Sequence, residues 1–331
     1  LEVEKVEETD PFYDITPSYK SRYQAFLPIS TGCDHFCSFC IVPFARGREE
    51  CRSYDVIYSE FKKLIDAGYN DITLLGQIVN RWVNPKYRGK VKYWEVNTNS
   101  YHDEDGEAID FLQLLERLDE IPGEYWLTFS SSHPLYFKDE IIEFFARAEH
   151  VRPYLHFAMQ SGSDEVLKSM RRDYEYKAFR DIVMKFKETV PGMAVSTDII
   201  VGFPGETENQ FLETADAMEE LEFDMAYINE YSPRTGTHSA KIPDDVPHLE
   251  KERRKEYLNE ILKKTSAKQK QEEVGRILRC IPYKRTKNGT VLRTIKNRDV
   301  LVDKNVKLGD FVNVEILEAN EWSLKGRLVN S

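Results

Sequence analysis

The sequence predicts an α/β fold, a partial (β/α)6 barrel followed by a small all-β barrel. Three observations carry the prediction. Strand-like and helix-like segments alternate between residues 24 and 231, residues of unusual chemistry stand just past the C-terminal end of each strand, and after residue 273 the texture changes to short β-prone runs.

Residues 1–21 are acidic and polar, with Pro11 and Pro17, and read as a linker or incoming segment. Apolar runs then place strands at about Gln24 to Ile29, Asp71 to Leu75, Tyr125 to Ser130, Tyr154 to Met159, Ala194 to Val201 and Asp224 to Tyr231. Helical spacing places helices between them. One starts near Tyr54, with Ile57, Phe61, Leu64 and Ile65 on one face and Gly68 as its stop; others cover Ile109 to Leu118, Asp139 to Glu149, stretches beginning at Asp164 and Tyr176, and Glu208 to Leu221. Residues 77–108 lack periodicity, and a loop of that length in a compact domain is functional or disordered. Pro43 to Arg52 reads as too polar and turn-rich for core.

Parallel strands joined by helices wind into an open doubly wound sheet or around toward a barrel. The strand-end residues decide between them. Cys33 to Cys40 follow the first strand, Gly76-Gln77 the second, Ser131-Ser132-His133-Pro134 the third, Gln160-Ser161-Gly162-Ser163 the fourth, Gly202 to Glu206 the fifth and Tyr231 to Arg234 the sixth. A barrel gathers all six loops at one mouth, whereas an open sheet splits them between two crevices. Residues 22–246 are therefore read as the core and 247–273 as a charged connecting helix. Residues 274–331 are read as a barrel of five short strands of a kind that often binds oligonucleotides.

With 41% hydrophobic residues in 331, the chain can bury a substantial core; it has no apolar run long enough to span a membrane and no signal-like start, so a cytoplasmic protein without a membrane partner is expected. The formal charge of −11 is uneven. Residues 275–331 carry 12 Lys/Arg against 6 Asp/Glu, leaving −17 on residues 1–274. A basic module on an acidic body suits phosphate contacts, or is an ordinary solvated surface; charge alone leaves both open.

Three of the five cysteines, Cys33, Cys37 and Cys40, fall within eight residues, and an odd count with a clustered trio argues against a disulfide framework. Three thiolates on one loop suit iron or an iron-sulfur cluster, whereas a closed zinc site wants a fourth ligand and no second CxxC or HxxxH exists here. A stray zinc or buried-thiol cluster is the alternative. Cys51 and Cys280 read as packing residues.

The spacing C-x3-C-x2-C, with Phe39 before the last cysteine, resembles the signature of the radical S-adenosylmethionine (SAM) enzymes. The resemblance implies a radical SAM barrel with a 4Fe-4S cluster on Cys33, Cys37 and Cys40, whose fourth iron is chelated by SAM. Further motifs, Cys40 to Glu49 (CIVPFARGRE), Leu74 to Asn80 (LLGQIVN), Ser132-His133-Pro134, Gln160 to Asp164 (QSGSD) and Ile200 to Thr207 (IVGFPGET), together resemble the methylthiotransferases, in the MiaB-type branch that converts N6-isopentenyladenosine beside a tRNA anticodon into its 2-methylthio derivative. The last residues resemble a TRAM domain, a β-barrel RNA-binding module. Ile78, Thr235 and His238 depart from the branch's usual Asn and prolines.

The resemblance implies SAM contacts among Gln77, Ser132, Gln160, Ser161, Gly202 and Glu206, and substrate contacts among Arg46, Arg48, His133 and Arg234; no catalytic residue is assigned. Other readings stand beside these: a strand-to-helix turn for Gly202, a helix cap for Gln160 and Ser161, and a buried, satisfied histidine for His133. Implied partners are the tRNA anticodon stem-loop, SAM and an electron donor such as flavodoxin or ferredoxin. The family also carries an N-terminal domain with three further cysteines and a second 4Fe-4S cluster. Only Cys51 and Cys280 remain here and the chain begins at Leu1, so that domain is expected to be absent from this chain. The nearest competitors are another methylthiotransferase branch, acting on threonylcarbamoyl-adenosine in tRNA or on a ribosomal-protein aspartate, and a non-catalytic RNA-binding metal protein.

Overall fold

Six parallel strands pair in the order in which the chain makes them. In this computed structural model, which describes residues 19–85 and 109–329, β1 (Gln24–Pro28) pairs with β4 (Asp71–Leu75) and β4 with β5 (Trp126–Phe129). Then β6 (Tyr154–His156) pairs with β7 (Ala194–Val201) and β7 with β8 (Met225–Glu230). Parallel bridges Leu127↔Val151 and Ser132↔Phe157 join the two triplets, so the order never reverses, as it must in a doubly wound sheet. The edges β1 and β8 are not paired with each other, which makes the barrel partial, as expected. The expected segment 1–21 lies almost wholly outside the described residues, as do residues 86–108 of the long loop.

Helices cover the outer face: α2 (Tyr54–Asp66), α3 (Phe111–Asp119), α4 (Asp139–Arg147), α5 (Asp164–Ser169), α6 (Tyr176–Thr189) and α7 (Glu208–Leu221). α3 and α7 each start with a capping box, Asp110 with Gln113 and Thr207 with Gln210, which satisfies first-turn N–H groups that have no partner inside the helix. Between sheet and helices, Phe111, Phe129, Phe145, Phe186, Phe137, Phe157 and Phe179 touch in succession, mostly edge to face. Each such pair is worth about 0.5–1.5 kcal/mol beyond its burial.

The stretch Pro43 to Arg52 departs from expectation. Val42–Arg46 forms a short helix, α1, with no buried residue, and Ser30–Thr31 (β2) pairs with Glu50–Cys51 (β3) as a small ribbon. Glu49 and Arg52 are buried, because each charge is met: Arg81 Nη1 lies 3.1 Å from Glu49, and Arg52 donates to Glu60 at 2.6 Å and to the Pro28 carbonyl at 2.8 Å. Polarity predicts exposure only where no opposite charge is built beside it.

The helix α8 (His248–Gln271) leads to a closed five-stranded barrel of β9 (Ile277–Thr286), β10 (Gly289–Thr294), β11 (Asp299–Val302), β12 (Val312–Ala319) and β13 (Leu324–Leu328), in the order β10-β11-β13-β12-β9. Its core includes Cys280, Leu292, Val300, Val314 and Ile316. The small barrel docks at the N-terminal ends of the core strands: Asn70 donates to Gly309 O at 2.6 Å, Arg152 to Thr294 O and Ile295 O at 2.6 and 2.8 Å, and Trp126 meets Phe311 edge to face. Arg298 pairs with Asp224 beside them. The mouth is at the opposite end.

Candidate functional site

The cysteine loop leaves the β2 strand through Gly32, whose φ of +70° suits glycine and whose missing side chain leaves room for the Arg48 carbonyl. Cys33 N donates to Gly47 O at 3.1 Å, while Ser38 N and Oγ donate to Met170 O and Ser169 O at 2.9 and 2.8 Å, tying the loop to the end of α5. Phe39 packs inward against Val166, Met170, Phe203 and Tyr231. Cys33 is buried, Cys37 and Cys40 half-buried, and all three are free thiols. Burial pushes the Cys33 thiol up to about 11 and the Cys40 thiol in the same direction, so each keeps its proton until a metal replaces it. Two N–H groups already point at sulfur: His35 N to Cys33 Sγ and Arg172 Nη1 to Cys37 Sγ, both at 3.4 Å.

Arg172 closes a ring of contacts around the mouth. Its Nε donates to Tyr174 Oη at 3.2 Å, and Tyr174 donates to Met159 O at 2.9 Å. The Tyr174 ring lies 5.4 Å from that of His133, which lies 4.7 Å from His35, and His35 Nε2 shares a hydrogen bond of 2.7 Å with Tyr136 Oη. His133 is buried, burial holds it well below the usual histidine range, and neither ring nitrogen has a hydrogen-bond partner. Its backbone is fixed instead: Asn80 Nδ2 donates to His133 O and His133 N to Asn80 Oδ1, both at 2.9 Å. The motif after β4 thus clamps the motif after β5.

The remaining expected residues divide. Ser132 Oγ donates to His156 O at 2.9 Å, Gln160 sits at φ +70° with Oε1 buried and unpartnered, and Gln77 is exposed at a bend. Ser161 is turned toward α7, sharing 3.1 Å with Thr214 Oγ1. Glu206 is also turned away: buried, it accepts from Gly202 N at 2.6 Å and Arg254 Nη1 at 2.7 Å, so it holds the loop after β7 in shape. Gly202, at φ +67°, packs on Lys251. Arg46, Arg48 and Arg234 are exposed, and Gly236, two residues past Arg234, approaches Ile41 beside α1. Sequence reading passed over His35, Asn80, Tyr136, Arg172, Tyr174 and Arg254; an Asn five residues past a strand was the one signal within a motif already noticed.

Below the mouth the barrel is not filled by branched apolar side chains, as a closed (β/α)8 barrel is. Alternation along the strands sends Gln24, Asp71, Thr73, Thr128, Ser130, Tyr154 and His156 to a cavity of about 270 Å3. His156 spans Ser196 Oγ at 2.9 Å and Asp198 Oδ2 at 3.0 Å on its wall.

A loop of three thiols above a polar chamber is matched by family: residues 27–218 fit the model of the radical SAM superfamily. The chain belongs to the radical SAM superfamily. Residues 272–329 fit the TRAM domain model. Over 328 residues this radical SAM chain is 37% identical to the tRNA-2-methylthio-N(6)-dimethylallyladenosine synthase of Neisseria gonorrhoeae, covering 98% of the chain and 70% of that protein. Over 312 residues it is 39% identical to the enzyme of that name from Clostridium botulinum, covering 93% and 65%. Within the superfamily it therefore belongs with these synthases, of whose length it spans 65 to 70%. The solved structure of coproporphyrinogen III oxidase (HemN) from Escherichia coli, described as a radical SAM enzyme, shares the fold at a TM-score of 0.51 and 12% identity, over 93% of this chain and 70% of that one.

Proposed function

We propose that this chain is the SAM-cleaving and RNA-binding part of a tRNA methylthiotransferase that acts at C2 of N6-isopentenyladenosine beside the anticodon. The observation that carries the reading is the thiol trio on one tethered loop over a polar chamber, in a chain that belongs with the synthases named above. The residues present fit a 4Fe-4S cluster better than a single ion: among the described residues no three His, Cys, Asp or Glu side chains converge on one metal position, whereas a cluster takes each thiolate on a different iron. Cys33, Cys37 and Cys40 would hold it, with His35 N and Arg172 donating to two of the sulfurs. When bound, the cluster supplies the electron that cleaves SAM and so starts hydrogen abstraction from the base.

The chain's own residues do the rest by placement. Asn80 and Tyr174 fix the His133 and Arg172 sides of the mouth, and Ser132, Gln160 and Gln77 stand at strand ends where SAM would lie. Arg46, Arg48 and Arg234 at the outer rim suit RNA phosphate. Ser161 and Glu206 support the SAM side indirectly, through α7 and α8. We read residues 22–246 as the catalytic core, 247–273 as the connector and 274–331 as the RNA-binding domain. A flavodoxin or ferredoxin would supply the electron, in the cytoplasm; among the described residues no helix is long and apolar enough to cross a membrane. A second cluster would have to lie outside this chain, because Cys51 sits in the ribbon and Cys280 in the small-barrel core.

The test is anaerobic reconstitution with iron and sulfide. Cys33→Ala, Cys37→Ala and Cys40→Ala should each lose the cluster absorbance while Cys51→Ala and Cys280→Ala keep it, and the reduced chain should release 5′-deoxyadenosine. With five cysteines, the chain alone should yield no 2-methylthio product on an isopentenylated stem-loop. Cluster loss in the Cys51 variant would show the ligand assignment to be wrong.

A further inference from the structure

The chamber below the mouth is built by both domains. Arg293 and Asn297 of the small barrel line it together with Asp71 and Thr128 of the core. They are held there from the core side, since Arg152 grips the Thr294 and Ile295 carbonyls between them. Two lining side chains carry buried polar atoms with no hydrogen-bond partner, Thr128 Oγ1 and Arg293 Nε, and beside them Asp71 Oδ1 makes no hydrogen bond and is met only by the Arg152 guanidinium, 3.6 Å away. Asp71 and Thr128 are only 4% and 7% exposed. Buried polar atoms left without a hydrogen bond destabilise a fold, so a site that keeps an unmet donor, an unmet hydroxyl and a carboxylate oxygen free to accept is made for a ligand that meets them.

Their chemistry says which ligand. A phosphate wants donors alone and would leave the accepting oxygen of Asp71, whose charge Arg152 already meets, without a donor; a cation wants acceptors alone and is repelled by Arg293 and Arg152. A heterocycle edge with both a donor and an acceptor satisfies all three. Phe26 on β1 and Tyr227 on β8, which also line the cavity and are about half exposed, flank the unpaired sheet edges and offer ring faces for stacking.

We propose that the small barrel is the floor of the reaction chamber, where Arg293, with Asp71 and Thr128, reads the edge of a nucleobase inserted through the gap between β1 and β8. This rests on the RNA reading above. It differs from a remote phosphate grip, because Arg293 then contributes to base recognition and not to the charge term of binding.

The experiment uses the full 331-residue chain and an anticodon stem-loop carrying 2-aminopurine at the target position, with affinity and fluorescence followed across a salt series. The unsubstituted protein should bind the stem-loop and change the 2-aminopurine signal. Arg293→Gln should weaken binding roughly tenfold and abolish the signal change while leaving the salt slope intact. Thr128→Val, which keeps shape and removes only the hydroxyl, should weaken the signal change in the same direction and guards against misfolding of the first variant. A salt slope reduced by about 0.7 in Arg293→Gln would make Arg293 a phosphate contact and overturn the inference. Unchanged affinity and signal in both variants would overturn it too. Failure of the unsubstituted chain to bind RNA would remove the functional reading and this inference with it.

Discussion

Replacing Arg298 by Met should cost more than any surface change in this protein. Its guanidinium lies where α8, β8 and the small barrel meet. Nε donates to Asp224 Oδ1 at 2.9 Å, Nη2 reaches the same oxygen, and Nη1 donates to Glu273 Oε1 at 2.9 Å and to Gln269 O at 3.1 Å. All three charged groups are more than nine-tenths buried. Removing one partner of a buried pair costs about 3–5 kcal/mol, chiefly because the other charge stays behind. Glu273 keeps Lys296 at 2.7 Å, whereas Asp224 is left with the Val195 N–H at 3.1 Å, so one carboxylate is stranded and the lower end, about 3 kcal/mol, applies. At about 2–4 °C per kcal/mol this is a fall in Tm of roughly 6–12 °C. Calorimetry should show it, with a low-temperature shoulder as the small barrel detaches. The double variant Arg298→Met with Asp224→Asn should recover most of the loss, since it strands no charge and keeps an acceptor for the Val195 N–H. A single variant that costs under about 1 kcal/mol, or a double variant no better than the single, would refute the claim that the junction is held by these charges.

Three further outcomes follow from the mouth and its supports. Asn80→Ala removes both bonds to the His133 backbone, leaving the buried His133 N–H unmet while its carbonyl keeps Tyr136 N at 3.2 Å, and should lower stability by about 1–3 kcal/mol in urea unfolding. Gly162→Ala would put a Cβ 2.5 Å from Glu213 O and 2.7 Å from Thr214 Cα, so α7 must shift; a loss of about 1–3 kcal/mol is expected, against a small effect for Gly205→Ala, where space is open and only φ +83° opposes. His133 has its folded pKa depressed by burial, so the stability tied to its neutral form is present above the usual histidine pKa near 6.5 and is lost as pH falls below it. His133→Phe should flatten the stability profile between about pH 6.5 and pH 4, read from chemical unfolding at each pH; an unchanged slope would show that the ring is solvated in solution.

The six strands and the helices between them were legible because each strand is an apolar run bounded by turn residues and each helix has a one-sided stripe. Gathering the strand-end motifs at one mouth followed from chain order alone. Direction was not legible. Ser161 and Glu206 lie in the right loops yet point at α7 and Arg254, because a loop's side chains alternate between its two sides with no period to read. The Asn80 clamp joins positions 53 residues apart, and local pattern carries nothing about that. The burial of Glu49 and Arg52 was hidden for the same reason, since Arg81 and Glu60 lie on other elements. One signal was present and went unread: Asp71, Thr73, Thr128 and Ser130 place polar residues at alternate positions of strands whose intervening positions, Ile72, Leu74, Leu127 and Phe129, are apolar. That is the mark of a chamber and not of a packed barrel.

The docking of the small barrel at the strands' N-terminal ends bears on how such a protein can be taken apart or recombined. Arg152, fully enclosed, spends Nε and Nη2 on carbonyls of the small barrel while Nη1 faces Asp71, and Trp126 packs on Phe311 across the same seam. A truncation after α8 would not yield a core lacking an accessory module; it would uncover an arginine, an aspartate and an indole evolved for the interior, a surface prone to association. Grafting a foreign small barrel would fail unless its turn between the second and third strands offered two carbonyls at the same place. The two domains are heritable only as a matched pair, and lineages should exchange them together.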